Sequence, residues 1–164
     1  MRVLTVCLGN ICRSPTAAAA IEEAARLVGV AIEVESAGTG AWNVGSAPDP
    51  RMIEAARREG LEVQGTARRV SADDFEAFDL ILAMDRVNFD DLIAMAPDEQ
   101  ATRKVRMFRE FDSWASGGDV PDPYNGGTAG FVNVVRMARD AAEGLAVAIR
   151  DGSLVAPKGP TRTE

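Results

Sequence analysis

The sequence predicts an α/β fold: a single domain built on a four-stranded parallel β-sheet with helices on both faces. Three observations carry this expectation. Short apolar runs alternate with helical stretches up to about residue 150, the pattern of parallel strands joined by right-handed crossovers. The first run, Val3-Leu4-Thr5-Val6, is apolar almost throughout, as suits a strand covered on both faces. A chain of 164 residues is long enough for one substantial core, and no repeat or linker divides it.

Residues 2–8 form the first predicted strand. A helix follows from about Ser14 to Leu27, with Gly29 as its stop. Ala31 to Ser36 alternates and reads as the second strand. Ala37 to Pro50 is a long loop rich in glycine and proline that carries Trp42; long ordered loops are often functional. Asp49-Pro50 reads as cap and first turn of a second helix, about Pro50 to Glu59, ended by Gly60. Leu61 to Arg69 reads as an irregular connection, and Ser71-Ala72-Asp73-Asp74 as a helix entry. Asp79 to Met84 is the clearest internal strand, followed by a helix from about Arg86 to Ala96 with Asp85 at its entry. Lys104 to Phe108 is the fourth strand candidate. Ser116 to Gly127 is a second glycine- and proline-rich loop. The last helix, about Ala129 to Arg150, places Phe131, Val134, Val135, Ala138, Ala142 and Leu145 on one face, a core stripe. The expected domain is 1–152, with 153–164 a flexible tail.

The chemistry is concentrated where the first strand meets the first helix. Cys7 ends the strand, Arg13 lies six residues later, and Leu8, Gly9, Asn10, Ile11 and Cys12 connect them. A helix N-terminus attracts anions through its unpaired N–H groups and its dipole. A tight loop with inward N–H groups extends this into an anion nest, here a phosphate-binding loop. Gly9 and Asn10 tolerate the positive φ such a loop needs. Ser14 fits an N-cap and Pro15 the first helical position. The same field favours a thiolate, so Cys7 is expected to face a bound phosphate as an anion, with Arg13 gripping it through its planar fork. Ligands of open parallel sheets sit at the carboxyl ends of strands, and Cys7, Ser36, Asp85 and the loop after Phe108 all fall there.

Composition narrows the partners. A net charge of −7 argues against nucleic acid and acidic membranes, so a phosphate site must be a local pocket. Neither a signal pattern nor a bilayer-spanning apolar stretch is apparent. The two cysteines, Cys7 and Cys12, do not make a disulfide framework, and a reducing cytoplasm is expected. The chain has no histidine, which removes Cys-His and Ser-His pairs and argues against zinc. No metal or other cofactor is expected.

The string Cys7-Leu-Gly-Asn-Ile-Cys-Arg13-Ser14-Pro15 resembles the signature loop of the low-molecular-weight protein tyrosine phosphatases. The resemblance continues through Glu35-Ser36-Ala37-Gly38-Thr39, Asp49-Pro50-Arg51, Phe78 to Asp85 and Asp122-Pro123-Tyr124, and spans roughly residues 2–150. It implies hydrolysis of phosphotyrosine through a phosphocysteine intermediate. Cys7 would be the nucleophile, Arg13 the phosphate clamp and Asp122 the general acid and base. Asn10, Ser14 and Ser36 would form the hydrogen-bonding shell of the loop, Trp42 and Tyr124 the walls of the cleft, and Cys12 a redox partner for Cys7. The implied ligands are tyrosine-phosphorylated proteins or peptides, inorganic phosphate and oxyanion inhibitors. A cytoplasmic monomer is expected, with export without a signal peptide left open.

The chain departs from the family pattern at two places. Asn125 stands where a second aromatic residue often follows Tyr124, and residues 62–68 lack the histidines the family commonly has. Ile11 resembles the tyrosine-specific branch, since related arginine phosphatases carry threonine there. Asp119 is the nearest competing acid but lacks a following Pro-Tyr. Two alternatives stand beside the phosphatase: an arsenate reductase using an external thiol, and a non-catalytic phosphate-binding module.

Overall fold

The computed structural model describes residues 1–114 and 116–154. Four parallel strands, β1 (Arg2–Cys7), β2 (Glu33–Gly38), β3 (Leu80–Ala83) and β4 (Val105–Met107), lie in the order β2-β1-β3-β4. Among the described residues six α-helices accompany them: α1 (Arg13–Val28), α2 (Pro50–Arg58), α3 (Asp74–Ala77), α4 (Arg86–Met95), α5 (Glu99–Thr102) and α6 (Thr128–Arg150). The chain leaves β1 toward β2 on one side and later returns to β3 on the other. The carboxyl end of β1 is therefore the switch point of the sheet, where such folds open a crevice.

Strand alternation sorts the core into two layers. Val3 and Cys7 of β1, with Leu80, Leu82 and Met84, face a cluster shared with Ile21 of α1, Met52 of α2, and Phe131 and Leu145 of α6. Leu4, Val6, Ile81, Ala83 and Val105 face the opposite cluster, which holds Phe75 and Leu92. Helices thus cover both faces, as the apolar strands require. The α6 stripe is buried from Phe131 to Ala146. Each such large apolar side chain contributes roughly 1.5–3 kcal/mol on leaving water.

The boundaries depart from the sequence-based expectation at several points. Leu8 is exposed and lies beyond β1. The second strand runs two residues later than expected, because Ala37 and Gly38 pair with Val6 and Cys7. Gly38 is fixed by a close approach: a Cβ there would stand 2.7 Å from the Leu8 carbonyl oxygen. The four-residue helix α5, capped by Asp98, and a 3-10 turn at Phe108–Phe111 were not foreseen. Gly29 ends α1 in the left-handed conformation, as its position predicts. Leu61 to Arg69 is irregular, with one isolated bridge from Arg69 to Gly38. Of the segment read as a tail, Ser153 donates to the Ala148 carbonyl and Leu154 packs against the core. Residues 155–164 lie outside the described residues.

Candidate active site

The loop after β1 wraps the Cys7 thiol. Cys7 is buried at the strand end, and its Sγ accepts from the Asn10 N–H at 3.2 Å. The Ser14 hydroxyl lies 3.0 Å from the same sulfur. Asn10 alone among non-glycine described residues takes a positive φ, 57°, which turns its N–H inward. Gly9 does not have a positive φ, so Asn10 alone makes the left-handed step.

The side chain of Asn10 then ties the loop together. Its Nδ2 donates to Ser14 Oγ at 2.8 Å and to Ser36 Oγ at 2.9 Å, and its Oδ1 accepts from the Arg68 N–H at 3.0 Å. Ser36 thus supports the loop from β2. The Thr5 hydroxyl donates to the Ser14 carbonyl at 2.8 Å, fixing the first turn of α1 to the sheet.

Ser14 is not the N-cap of α1. That position is Cys12, without a side-chain cap bond; Arg13 and Ser14 are already helical, and Pro15 is the third helical residue. The Ser14 hydroxyl reaches the Cys7 sulfur and the Ala37 carbonyl, at 3.0 and 3.3 Å, instead of a backbone N–H. Among the described residues, none accepts from the N–H groups of Leu8, Gly9, Ile11 or Cys12.

Arg13 is almost fully buried, at 3% exposure. Its Nη1 donates to Asp85 Oδ2 at 2.5 Å and to the Val120 carbonyl at 3.1 Å. Its Nη2 stands 3.8 Å from Asp122 Oδ2. Asp85 caps α4 as expected of a helix-entry acid, through Oδ1 on the Asn88 N–H. Its second oxygen orients the arginine, a role that helix-entry chemistry gave no sign of. Val120 is held on both sides, since its N–H donates to the Met84 carbonyl at 2.7 Å. Asp122 follows two residues later, half exposed.

These groups converge on one pocket of about 300 Å³. Cys7, Leu8, Gly9, Ile11, Cys12 and Arg13 form its floor. Trp42 and Asn43 line one part of its wall, and Asp122, Tyr124 and Asn125 another. Trp42 and Tyr124 are both well exposed. Ser36, Asn10 and Ser14 lie outside the lining, beneath the loop. Sequence reasoning missed Asn43, whose Nδ2 donates to the Gly9 carbonyl at 3.3 Å, and it gave no role to Arg51, which forks onto Asp49 and donates to the Tyr124 carbonyl at 2.9 Å. Asp119 does not join the site; it accepts from the Arg86 N–H at 3.0 Å.

Cys12 differs in character from Cys7. Its thiol is pushed up to about 12, first by burial and then by the negative charge of Asp49, with Cys7 and Asp122 adding to it and Arg51 opposing. Asp49 itself lies below the usual carboxylate range because the Arg51 guanidinium hydrogen-bonds it. Both cysteines are free thiols.

Known proteins share this architecture. The family described as low molecular weight phosphotyrosine protein phosphatase matches residues 2–154. A low molecular weight protein-tyrosine-phosphatase of Streptomyces coelicolor is 40% identical over 156 residues, covering 92% of this chain and 94% of that one. A low molecular weight phosphotyrosine protein phosphatase of Schizosaccharomyces pombe is 41% identical over 134 residues, or 80% of this chain and 85% of that one. The crystal structure of a protein tyrosine phosphatase from Entamoeba histolytica with Hepes in the active site aligns with a TM-score of 0.90 at 36% identity, covering 94% of this chain and 99% of that one. With the match running through every strand and the loop from Cys7 to Arg13 seated at the switch point of the sheet, the chain belongs to the low molecular weight phosphotyrosine protein phosphatase family.

Proposed function

We propose that this chain hydrolyses phosphotyrosine in proteins and peptides in two displacements on Cys7. In the first, the Cys7 sulfur attacks phosphorus and the bond to the tyrosyl oxygen breaks. Asp122 gives its proton to the leaving phenolate, leaving a phosphocysteine and a neutral tyrosine. In the second, water attacks phosphorus, Asp122 takes its proton, and the phosphorus–sulfur bond breaks to release phosphate. Covalent division of this kind replaces one very slow step with two easier ones.

One observation carries the reading. The Cys7 sulfur sits in a closed loop, 3.2 Å from the Asn10 nitrogen and 3.0 Å from Ser14 Oγ, and Arg13 and Asp122 line the same pocket. The loop N–H groups and Arg13 offer donors to the equatorial oxygens on which transition-state charge develops. Removing one donor of that kind costs about 3–4 kcal/mol of barrier reduction. Proton transfer by Asp122 is worth about 10²–10⁴-fold. Trp42 and Tyr124 at the wall favour an aromatic phosphoester over a short aliphatic one. The reading includes binding of inorganic phosphate and of oxyanion inhibitors; the Entamoeba histolytica phosphatase holds Hepes, a sulfonate, in its active site.

The reading extends to a cytoplasmic monomer whose catalytic domain spans 1–152, with Cys12 as redox partner of Cys7. The two free thiols support the compartment.

A series of aryl phosphates with phenols of graded acidity tests the mechanism. Asp122→Ala is expected to lower kcat/KM most for the least acidic phenols; a uniform loss along the series counts against an acid role. Cys7→Ser is expected to bind phosphate without turnover, and turnover comparable to the natural chain removes Cys7 from the mechanism.

A further inference from the structure

Arg51 is the second residue of α2, directly after Pro50. Its guanidinium bridges two elements that carry the reacting groups. On one side, Nε and Nη2 form a fork on Asp49, at 3.1 Å to Oδ1 and 2.8 Å to Oδ2. The backbone N–H of Asp49 in turn donates to the Ile11 carbonyl of the phosphate loop at 2.8 Å. On the other side, Nη1 donates to the Tyr124 carbonyl at 2.9 Å.

That second contact reaches the acid. The N–H of Tyr124 donates to Asp122 Oδ1 at 3.1 Å, and Oδ2 is the oxygen facing Arg13. Arg51 therefore holds the residue whose amide orients the Asp122 carboxyl and turns one of its oxygens toward the cleft. The guanidinium also stacks on the Tyr124 ring at 5.1 Å and the Phe131 ring at 4.8 Å, and Phe131 is a buried core residue. Among the described residues, Arg51 is the one side chain from outside Pro121 to Gly127 that hydrogen-bonds the backbone of that segment. The segment is otherwise mostly exposed and rich in glycine.

We propose that Arg51 is the positioning residue of the general acid, coupling the Asp122 segment to the phosphate loop through Asp49. The proposal rests on the reading of Asp122 as that acid. Arg51 acts through Tyr124 and does not touch the phosphate. A small displacement of a catalytic group is enough to matter: about 1 Å can cost on the order of 10²-fold.

The experiment measures kcat/KM for aryl phosphates of graded phenol acidity, with the inhibition constant of inorganic phosphate, in the natural chain, Arg51→Ala, Arg51→Lys, Asp122→Ala and the double variant Arg51→Ala/Asp122→Ala. Arg51→Ala is expected to lose roughly 10- to 100-fold on the least acidic phenols and far less on the most acidic, with phosphate inhibition unchanged. In the Asp122→Ala background the same change is expected to add less than about twofold. Arg51→Lys keeps the charge without the planar fork and is expected to follow alanine, which also provides a second variant should alanine disturb folding. A uniform loss along the series, a phosphate inhibition constant raised as much as kcat/KM falls, or full additivity with Asp122→Ala overturns the proposal. If Asp122→Ala leaves the leaving-group dependence at its natural slope, the acid reading itself fails; if that slope steepens and the Arg51→Ala slope does not, the Arg51 proposal alone fails.

Discussion

Asp85 and Arg13 form a carboxylate–guanidinium pair at 2.5 Å at the base of the cleft, with Arg13 almost wholly out of solvent. A buried guanidinium needs a compensating charge, and breaking such a pair from one side leaves the other charge unpaired. Asp85 serves twice, because Oδ1 caps α4 while Oδ2 aims the arginine. Asparagine preserves the cap acceptor and removes the charge. Asp85→Asn is therefore expected to raise the phosphate inhibition constant and lower kcat/KM by roughly 10- to 100-fold, the scale of a hydrogen bond to a charged group, about 1.5–3 kcal/mol. Asp85→Ala also loses the cap and should be less stable than Asp85→Asn by about 1 kcal/mol in urea denaturation. Equal stability of the two variants would detach the cap from the pair.

Ser14 is placed to act on the second displacement. Its hydroxyl, 3.0 Å from Cys7 Sγ, can donate to the sulfur as it leaves phosphorus with its electron pair. The Asn10 amide donates to the same hydroxyl, which leaves its proton for the sulfur or for the Ala37 carbonyl at 3.3 Å, and sulfur that gains negative charge is the stronger acceptor. Ser14→Ala is expected to slow phosphocysteine hydrolysis by roughly 10- to 100-fold, again the scale of a charge-assisted hydrogen bond. Rapid-quench measurement should then find phosphorylated enzyme accumulating in the variant. Slower phosphorylation with no accumulation would place Ser14 in the first step.

Much of this arrangement was legible from residue order. Cys7, the six-residue step to Arg13 and the apolar run before them demand a strand, a tight anion-binding loop and a helix, and β1 and α1 supply them. Gly29 and the stripe from Phe131 to Leu145 marked real boundaries and a real buried face. Local reasoning went wrong where a side chain had a distant partner. Ser14 has the chemistry of a cap, but Cys7 lies within reach of its hydroxyl, and a sulfur seven residues back is invisible to helix-end rules. Asp85 and Asp49 were rightly read as caps, yet each has a second oxygen whose partner, Arg13 or Arg51, matters more to the cleft. Arg51 belongs to the string Asp49-Pro50-Arg51, but nothing local points to its partner: its connection to Tyr124 spans 73 residues and exists only once the chain has folded. The two-residue shift of β2 has the same origin, since pairing with β1, not alternation within the segment, sets its end.

Asn10 combines a left-handed backbone with three side-chain hydrogen bonds, so its two roles can be separated by substitution. Asn10→Ala loses the amide and also meets the penalty for a positive φ, about 1–2 kcal/mol. With the three lost hydrogen bonds, worth about 1 kcal/mol each, a total of roughly 4–5 kcal/mol is expected. Asn10→Gly keeps the backbone and loses the amide, and should be more stable than Asn10→Ala while matching its loss of activity. Urea denaturation and kcat/KM on one aryl phosphate check both. If glycine restores activity, the amide network is dispensable and only the turn matters.

The raised proton affinity of Cys12 sets how the proposed bridge to Cys7 should depend on pH. Peroxide converts Cys7 to a sulfenic acid; the Cys12 thiolate then attacks that sulfur, the disulfide forms and hydroxide leaves. With Cys12 pushed up to about 12, only a small fraction is ionised near neutrality. The bridging rate should therefore climb about tenfold per pH unit between 7 and 9, because each unit multiplies the attacking thiolate by that factor. Burial is the largest cause of the shift and Asp49 the next, so Asp49→Asn should speed bridging at fixed pH while still capping α2. The same sign governs stability. Below the ordinary thiol value of 9.0 folded and unfolded chains both keep this proton, so its contribution is fully present there; it is lost as pH rises toward about 12, because the unfolded chain ionises first. Quenched peroxide time courses, with the Cys7–Cys12 disulfide counted by mass spectrometry, measure the rate directly. A rate independent of pH, or unmoved by Asp49→Asn, would mean that Cys12 is not the attacking thiol in the form described.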